Sequence, residues 1–171
     1  MTIILSLLNG SKLYGLDNEN SDTDLINIYV KDRKDYYIYN IDKPFRRKIG
    51  NYDIQYIDLI AFCKITIKCN PNFFIPLLEG KTLYYDIRGI ILLNYSFAFF
   101  NYKNIQRSFT GVAKSFIKNN DDYKKADYIL KYRDYLLKDV QTPTLKTNYS
   151  AIKKMIDEIL CYMGNFKSNN D

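Results

Sequence analysis

The chain has 171 residues, enough for one domain or a small domain with a helical extension. At 47% hydrophobic and 26% charged residues it is far from the disordered class, and no apolar stretch nears the ~20 residues of a membrane span, so no membrane partner is expected. The net charge of +6 and a pI near 9.0 favour polyanionic partners, and three cysteines (Cys63, Cys69, Cys161) without a single histidine exclude a finger-type zinc site and fit reduced thiols in a cytosolic compartment. The 17 tyrosines suit polar interfaces and base stacking, although a coding bias toward Ile, Lys, Asn and Tyr would enrich them equally.

Taken in chain order, the first segments are short and β-like: 3–8, 24–30, 36–41 and 48–57, divided by turn formers such as "DNENS" and "IDKP". The 3–8 run is too short for a signal peptide, lacks a basic leader and runs into Gly10-Ser11. Near residue 57 helical spacing takes over. Leu59, Phe62, Cys63 and Ile67 follow a 3.6 period, with the β-branched "KITIK" leaving a strand open. Asn70 is placed as an N-cap with Pro71 at the first helical position, and Pro76 is expected to limit that helix. Three amphipathic helices follow, marked by Phe109, Val112, Ala113 and Phe116; by Ala126, Ile129, Arg133 and Leu137; and by Ile152, Met155, Ile156, Ile159, Leu160 and Met163. The tail "NFKSNND" is expected to fray. The predicted fold is α+β, a small mixed sheet followed by a helical C-terminal half.

Chemistry concentrates in "NGSKLYGLDNENSDTDLINIYV" (9–30). On a strand, Asp22 and Asp24 would project from one face about 7 Å apart. Two ionised carboxylates so close persist best around a cation, and hard oxygen ligands suit Mg²⁺ or Mn²⁺. Gly10-Ser11, just after an apolar strand, offers backbone N–H groups and a hydroxyl with no Cβ to obstruct a phosphate. Each signal also has a plain reading: Gly-Ser as an ordinary turn, "SDTD" as a solvated loop or helix cap.

The pairing of "GSKLYG" with "SDTD" resembles nucleotidyltransferases of the DNA polymerase beta superfamily, and most closely the branch associated with RNA-repair ligases and common in phages. The matching positions are Gly10, Ser11, Tyr14, Gly15, Ser21, Asp22 and Asp24. "DIQYIDLIAFCKITIKCNPNFFIPLLEG" follows the branch's order of an aspartate-bearing strand, a helix, Asn-Pro and a second helix, which makes Asp53 the implied third carboxylate. Read from its strand alone, Asp53 is a solvent-facing polar residue sharing a face with Gln55 and Ile57. Asp58 reads as a helix cap. Lys125 leads into a helix that in the family carries a histidine and an arginine, where this chain has Tyr128 and Lys131, and Ile26 stands where a basic residue is frequent.

The resemblance implies a catalytic core over 1–80 with a helical region over 81–171 packed on it, and transfer of a nucleoside monophosphate from an NTP to a hydroxyl acceptor, RNA or another nucleic acid. Asp22, Asp24 and Asp53 are the implied catalytic residues and ligands of two Mg²⁺ or Mn²⁺ ions, and Gly10, Ser11, Tyr14, Gly15 and Ser21 the implied nucleotide-binding set. The implied compartment is the cytoplasm, that of the host for a viral protein. Arg46, Arg47 and Lys48 are placed either against phosphates or on a solvated hairpin rim. Two alternatives stand beside this: the same chemistry directed at a protein, as in toxin-neutralising relatives, and a catalytically silent binding module.

Overall fold

The computed structural model describes residues 1–37, 41–118, 122–138 and 145–162. The first apolar run forms β1 (Thr2–Asn9), in which Ile4, Leu5 and Leu7 are fully buried. β2 (Thr23–Val30) pairs antiparallel with it and is buried at consecutive positions from Leu25 to Val30, so both faces of the sheet are covered there. The other strands are β3 (Phe45–Ile49), β4 (Tyr52–Asp58) and β5 (Thr82–Tyr85), in the order β3-β4-β2-β1-β5. Only β2 and β4 run parallel; the sheet is mixed and, with the helices, makes the α+β fold that the patterning predicts. The fifth strand comes from beyond residue 80. Ser6 and Asn27, partners on β1 and β2, are buried, and the serine hydroxyl donates to the Asn27 side-chain carbonyl at 2.5 Å.

The helices are α1 (Gly10–Tyr14), α2 (Arg33–Tyr37), α3 (Leu59–Thr66), α4 (Pro71–Glu79), α5 (Ile87–Asn94), α6 (Tyr102–Lys118), α7 (Tyr123–Lys138) and α8 (Tyr149–Cys161), with a 3-10 turn at Ser96–Phe99. Their ends follow capping chemistry. Asp58 accepts from the N–H groups of Ile60 and Ala61 at the start of α3, Asn70 accepts from Asn72 N–H with Pro71 next to it, and Asp86 accepts from the N–H groups of Arg88 and Gly89. The stripes that the sequence marks are the buried ones: Phe109 and Ala113 on α6, Ala126 and Ile129 on α7, Ile152, Met155 and Ile159 on α8. Arg133, within the α7 stripe, donates to Thr110 on α6 at 2.8 Å. Cys63 and Cys69 are free and buried, and burial pushes both thiols up. Among the described residues no helix is long and apolar enough to cross a membrane.

Several expectations need correction. The strand left open for "KITIK" does not form: residues 64–66 are the last of α3, as the 3.6 period predicts, and Ile67 and Lys68 lie in the turn that follows. Residues 48–57 are not one strand: the chain turns at Gly50-Asn51, with Gly50 at φ 57°, and Ile49 pairs with Tyr52 across a two-residue loop. Tyr36 lies in α2, because its hydroxyl is drawn inward, accepting from Lys31 N–H and donating to the Asp58 carboxylate at 2.9 Å. Tyr37 ends α2, Ile41 lies in no strand, and residues 38–40, Met163 and the tail lie outside the described residues. Pro76 does not end α4, which runs on to Glu79 and closes at Gly80 in the left-handed region, φ 60°.

α5 lies so close to β1 that a Cβ on Gly89 would stand 2.3 Å from the Ile4 carbonyl oxygen, whereas one on Gly111, exposed within α6, would meet nothing within 4 Å. Gly89→Ala is expected to destabilise the protein by about 1–3 kcal/mol through backbone displacement, and Gly111→Ala to stabilise it by roughly 0.4–1 kcal/mol. Thermal unfolding of both variants checks this; equal shifts of one sign would contradict the packing described.

Candidate functional site

Strand register assembles the site. Asn9 on β1 is the partner of Asp24 on β2, Asp24 of Asp53 on β4, and Asp53 of Lys48 on β3. Partners on adjacent strands point to one face, so Asn9, Asp24, Asp53 and Lys48 form a transverse row across four strands. A second row on that face, two residues along each strand, runs Leu7, Ile26, Gln55 and Arg46. Ile26 is completely buried in it, where a charge would lie in the core. Above these rows opens a cleft of about 330 Å³, lined by Asn9, Gly10, Asp24, Arg46, Gln55, Asn72, Phe73, Phe116 and Lys125.

The carboxylates do not share one environment. Asp22 precedes β2 rather than lying on it, and accepts from Lys48 Nζ at 2.7 Å, so it is not projected beside Asp24 as a strand neighbour would be. Asp53 stands 3.6 Å from Arg46. Asp24 is the most constrained: burial first, and the adjacent Asp53 second, raise its carboxyl above the ordinary value, against the pull of Lys125 and Arg46. Among the described residues no group of three or more Cys, Asp or Glu side chains is close enough to hold a metal ion. The donor chemistry nonetheless fits a hard cation at Asp24 and Asp53, since Asn9 Oδ1, at the end of the same row, is buried with no hydrogen-bond partner.

Gly10 opens α1 at φ 66°, and a Cβ there would fall 1.8 Å from Asp24 Oδ2. The room that glycine leaves is therefore taken by the Asp24 carboxylate, not kept open for a phosphate as the sequence reading expects. Ser11 follows on α1, half-buried, and its carbonyl accepts from Leu16 N–H at 2.9 Å. Gly15 ends α1 in the left-handed region at φ 66°. Tyr14 is buried with its ring 4.7 Å from that of Tyr128; its hydroxyl has no partner, and burial, followed by Tyr128 and Asp24, raises its phenol. Ser21 is turned away from the cleft into the 18–21 loop, donating to Asn18 Oδ1 at 3.1 Å and accepting from Asn18 N–H at 2.9 Å. Tyr128 packs on Tyr14, and Lys131 is paired with Asp127 at 2.7 Å.

A protein-family profile described as the RNA repair pathway DNA polymerase beta family, RlaP, matches residues 1–138. The chain belongs to this family. Its membership accords with the DNA polymerase beta superfamily resemblance of 9–30, and gives the chain a nucleotidyltransferase-like place in RNA repair. Comparison with curated proteins found no match. The family match spans every residue lining the cleft, including several that motif reading missed. Asn9 had a signal, its position at the end of an apolar strand directly before Gly10. Phe73 and Phe116 had none, because each sits among other apolar residues of its helix, and Asn72 reads as a residue of the first turn of α4 after the Asn70 cap.

Two predictions follow from Asp24. In a metal-free, chelator-containing buffer, Asp24→Asn should be more stable than wild type at neutral pH. Because the folded-state pKa is raised, ionised Asp24 costs stability above it, and that cost disappears as pH falls through the folded value toward the unfolded one. The gap in Tm should therefore shrink on acidification; a gap independent of pH would contradict the electrostatic account. Gly10→Ala should lose several kcal/mol, and the loss should shrink in an Asp24→Ala background to the backbone strain, about 1–2 kcal/mol, plus the 2.9 Å approach to the Cβ that residue 24 keeps. Additive losses in this double-mutant cycle would show that glycine and carboxylate are not in contact.

Proposed function

We propose that this protein is a metal-dependent nucleotidyltransferase that moves a nucleoside monophosphate from an NTP to a hydroxyl acceptor, with RNA or another nucleic acid as the acceptor. The observation that carries the reading is the register setting Asp24 beside Asp53, with the unpartnered Asn9 oxygen completing the row. Asp24 and Asp53 would hold Mg²⁺ or Mn²⁺, and Asp22 would join them on release from Lys48. Bound there, the ions supply charge that eases deprotonation of the acceptor hydroxyl and neutralises the leaving oxygens. Asp53, half-buried on β4 beside Arg46, is assigned to the acceptor side. Gly10 keeps the Asp24 carboxylate seated, and the Ser11 hydroxyl is assigned to a phosphate oxygen. Tyr14, Gly15 and Ser21 act by shaping the segment that carries Ser11.

A nucleic-acid acceptor is supported by the net charge of +6 and by the edge strand β3, whose Arg46 and Lys48 lie on the carboxylate face of the sheet while Arg47 alternates to the other. Cys63 and Cys69, free and buried, accord with a reducing, cytoplasmic setting. One observation favours the alternative of a silent nucleic-acid-binding module: Asp22 is engaged by Lys48, and no three-ligand group stands assembled among the described residues.

Incubation with each labelled NTP, Mg²⁺ or Mn²⁺ and RNA distinguishes the two. Transfer of label to RNA is expected from wild type, with a loss of at least a hundredfold in Asp24→Asn and Asp53→Asn while Tm is kept or raised. RNA binding that weakens steeply with salt, without label transfer under any nucleotide, would establish the silent module instead.

A further inference from the structure

The cations around the carboxylates are not equivalent. Lys48 is committed to Asp22 at 2.7 Å, Arg46 faces Asp53 at 3.6 Å, and Lys12 donates to Thr23 Oγ1 at 2.6 Å. Lys125, on α7, differs from all three. Its ammonium lines the cleft with Gly10 and Asp24, yet has no hydrogen-bond or ion-pair partner among the described residues. It is held by two rings, 4.8 Å from the centroid of Phe116 and 5.5 Å from that of Tyr14. Burial lowers its pKa, while the Asp24 and Asp122 carboxylates oppose that shift.

A partly desolvated ammonium between aromatic faces has few solvent partners to give up when an anion arrives, and its pairing is stronger in that low-dielectric setting than at the surface. Asp24 acts on it electrostatically without forming an ion pair, and in the proposed reaction that carboxylate is occupied by a cation. We infer that Lys125 is a phosphate-binding residue of the cleft, supplied by the helical half of the chain and reserved for the triphosphate of the incoming nucleotide. This rests on the nucleotidyltransferase reading and adds to it a residue that the Gly-Ser and Asp-x-Asp motifs do not contain. Phe116 and Tyr14 position the ammonium, so the two halves of the chain close on the same ligand.

The test uses the full chain with Lys125→Met, and Lys125→Gln should methionine disturb the packing. Both are titrated with a non-hydrolysable NTP analogue in Mg²⁺, with inorganic tripolyphosphate, with Mn²⁺ alone and with a short RNA oligonucleotide. Loss of one charge-assisted phosphate contact is expected to weaken the NTP analogue and tripolyphosphate by about tenfold to a hundredfold. Mn²⁺ alone should bind as well as in wild type or tighter, because a cation beside Asp24 has been removed. Lys125→Arg, which keeps the charge, should recover part of the loss. Unchanged affinity for the analogue and tripolyphosphate would make Lys125 a packing residue and overturn the inference, leaving the nucleotidyltransferase reading in place. Weakened RNA binding with unchanged tripolyphosphate binding would assign the residue to the acceptor and also overturn it. Wild-type protein that binds neither analogue nor tripolyphosphate would remove both.

Discussion

The parallel pairing of β2 with β4 is the constraint on which the site depends. It places Asp53 opposite Asp24, and through β1 it brings Asn9 into line with both. The register is held by the core and not by the polar residues: Ile28 and Ile57 are partners in the same ladder, both fully buried. A one-residue slip would turn Asp53 to the opposite face and expose the apolar set, so the burial that stabilises the sheet also prevents the carboxylates from separating. Two like charges are thus kept adjacent by hydrophobic packing, which an exposed loop could not do.

That adjacency is costly, and the neighbourhood offsets it charge by charge. Lys48 answers Asp22 and Arg46 answers Asp53 on the solvent side, where ion pairs contribute little to stability but shift readily. Asp24 has no such contact and carries the raised pKa. The proposed multivalent cation would relieve this repulsion, since carboxylates that repel one another attract it. Gly10 makes the arrangement possible, because any larger residue would collide with the Asp24 carboxylate.

The helical half takes part in the site as well as in the core. α7 packs against α6 and reaches α1, where Tyr128 meets Tyr14 and Lys125 enters the cleft beside Phe116. Tyr128 and Lys131 play different parts: the first extends the aromatic contact with Tyr14, and the second is an exposed partner of Asp127 within its own helix. Tyr128 therefore packs against the motif helix, whereas Lys131 lies outside the cleft lining.

Local chemistry alone was enough to determine the apolar strands β1 and β2, the caps at Asp58, Asn70 and Pro71, and the inward stripes of α6, α7 and α8. Each of these is set by neighbours within one turn or one strand, and the pairing of "GSKLYG" with "SDTD" is short enough to be read as a motif. Tertiary structure decided the rest. Asp58, far along the chain, holds the hydroxyl of Tyr36 on α2, and β4, beyond the Gly50-Asn51 turn, lies parallel to β2. Asp22 left the strand for Lys48, and Asn9, Phe116 and Lys125 joined one cleft from three separate elements. Sequence spacing carries information along the chain, whereas strand register and helix docking act across it, and this site is built from contacts of the second kind.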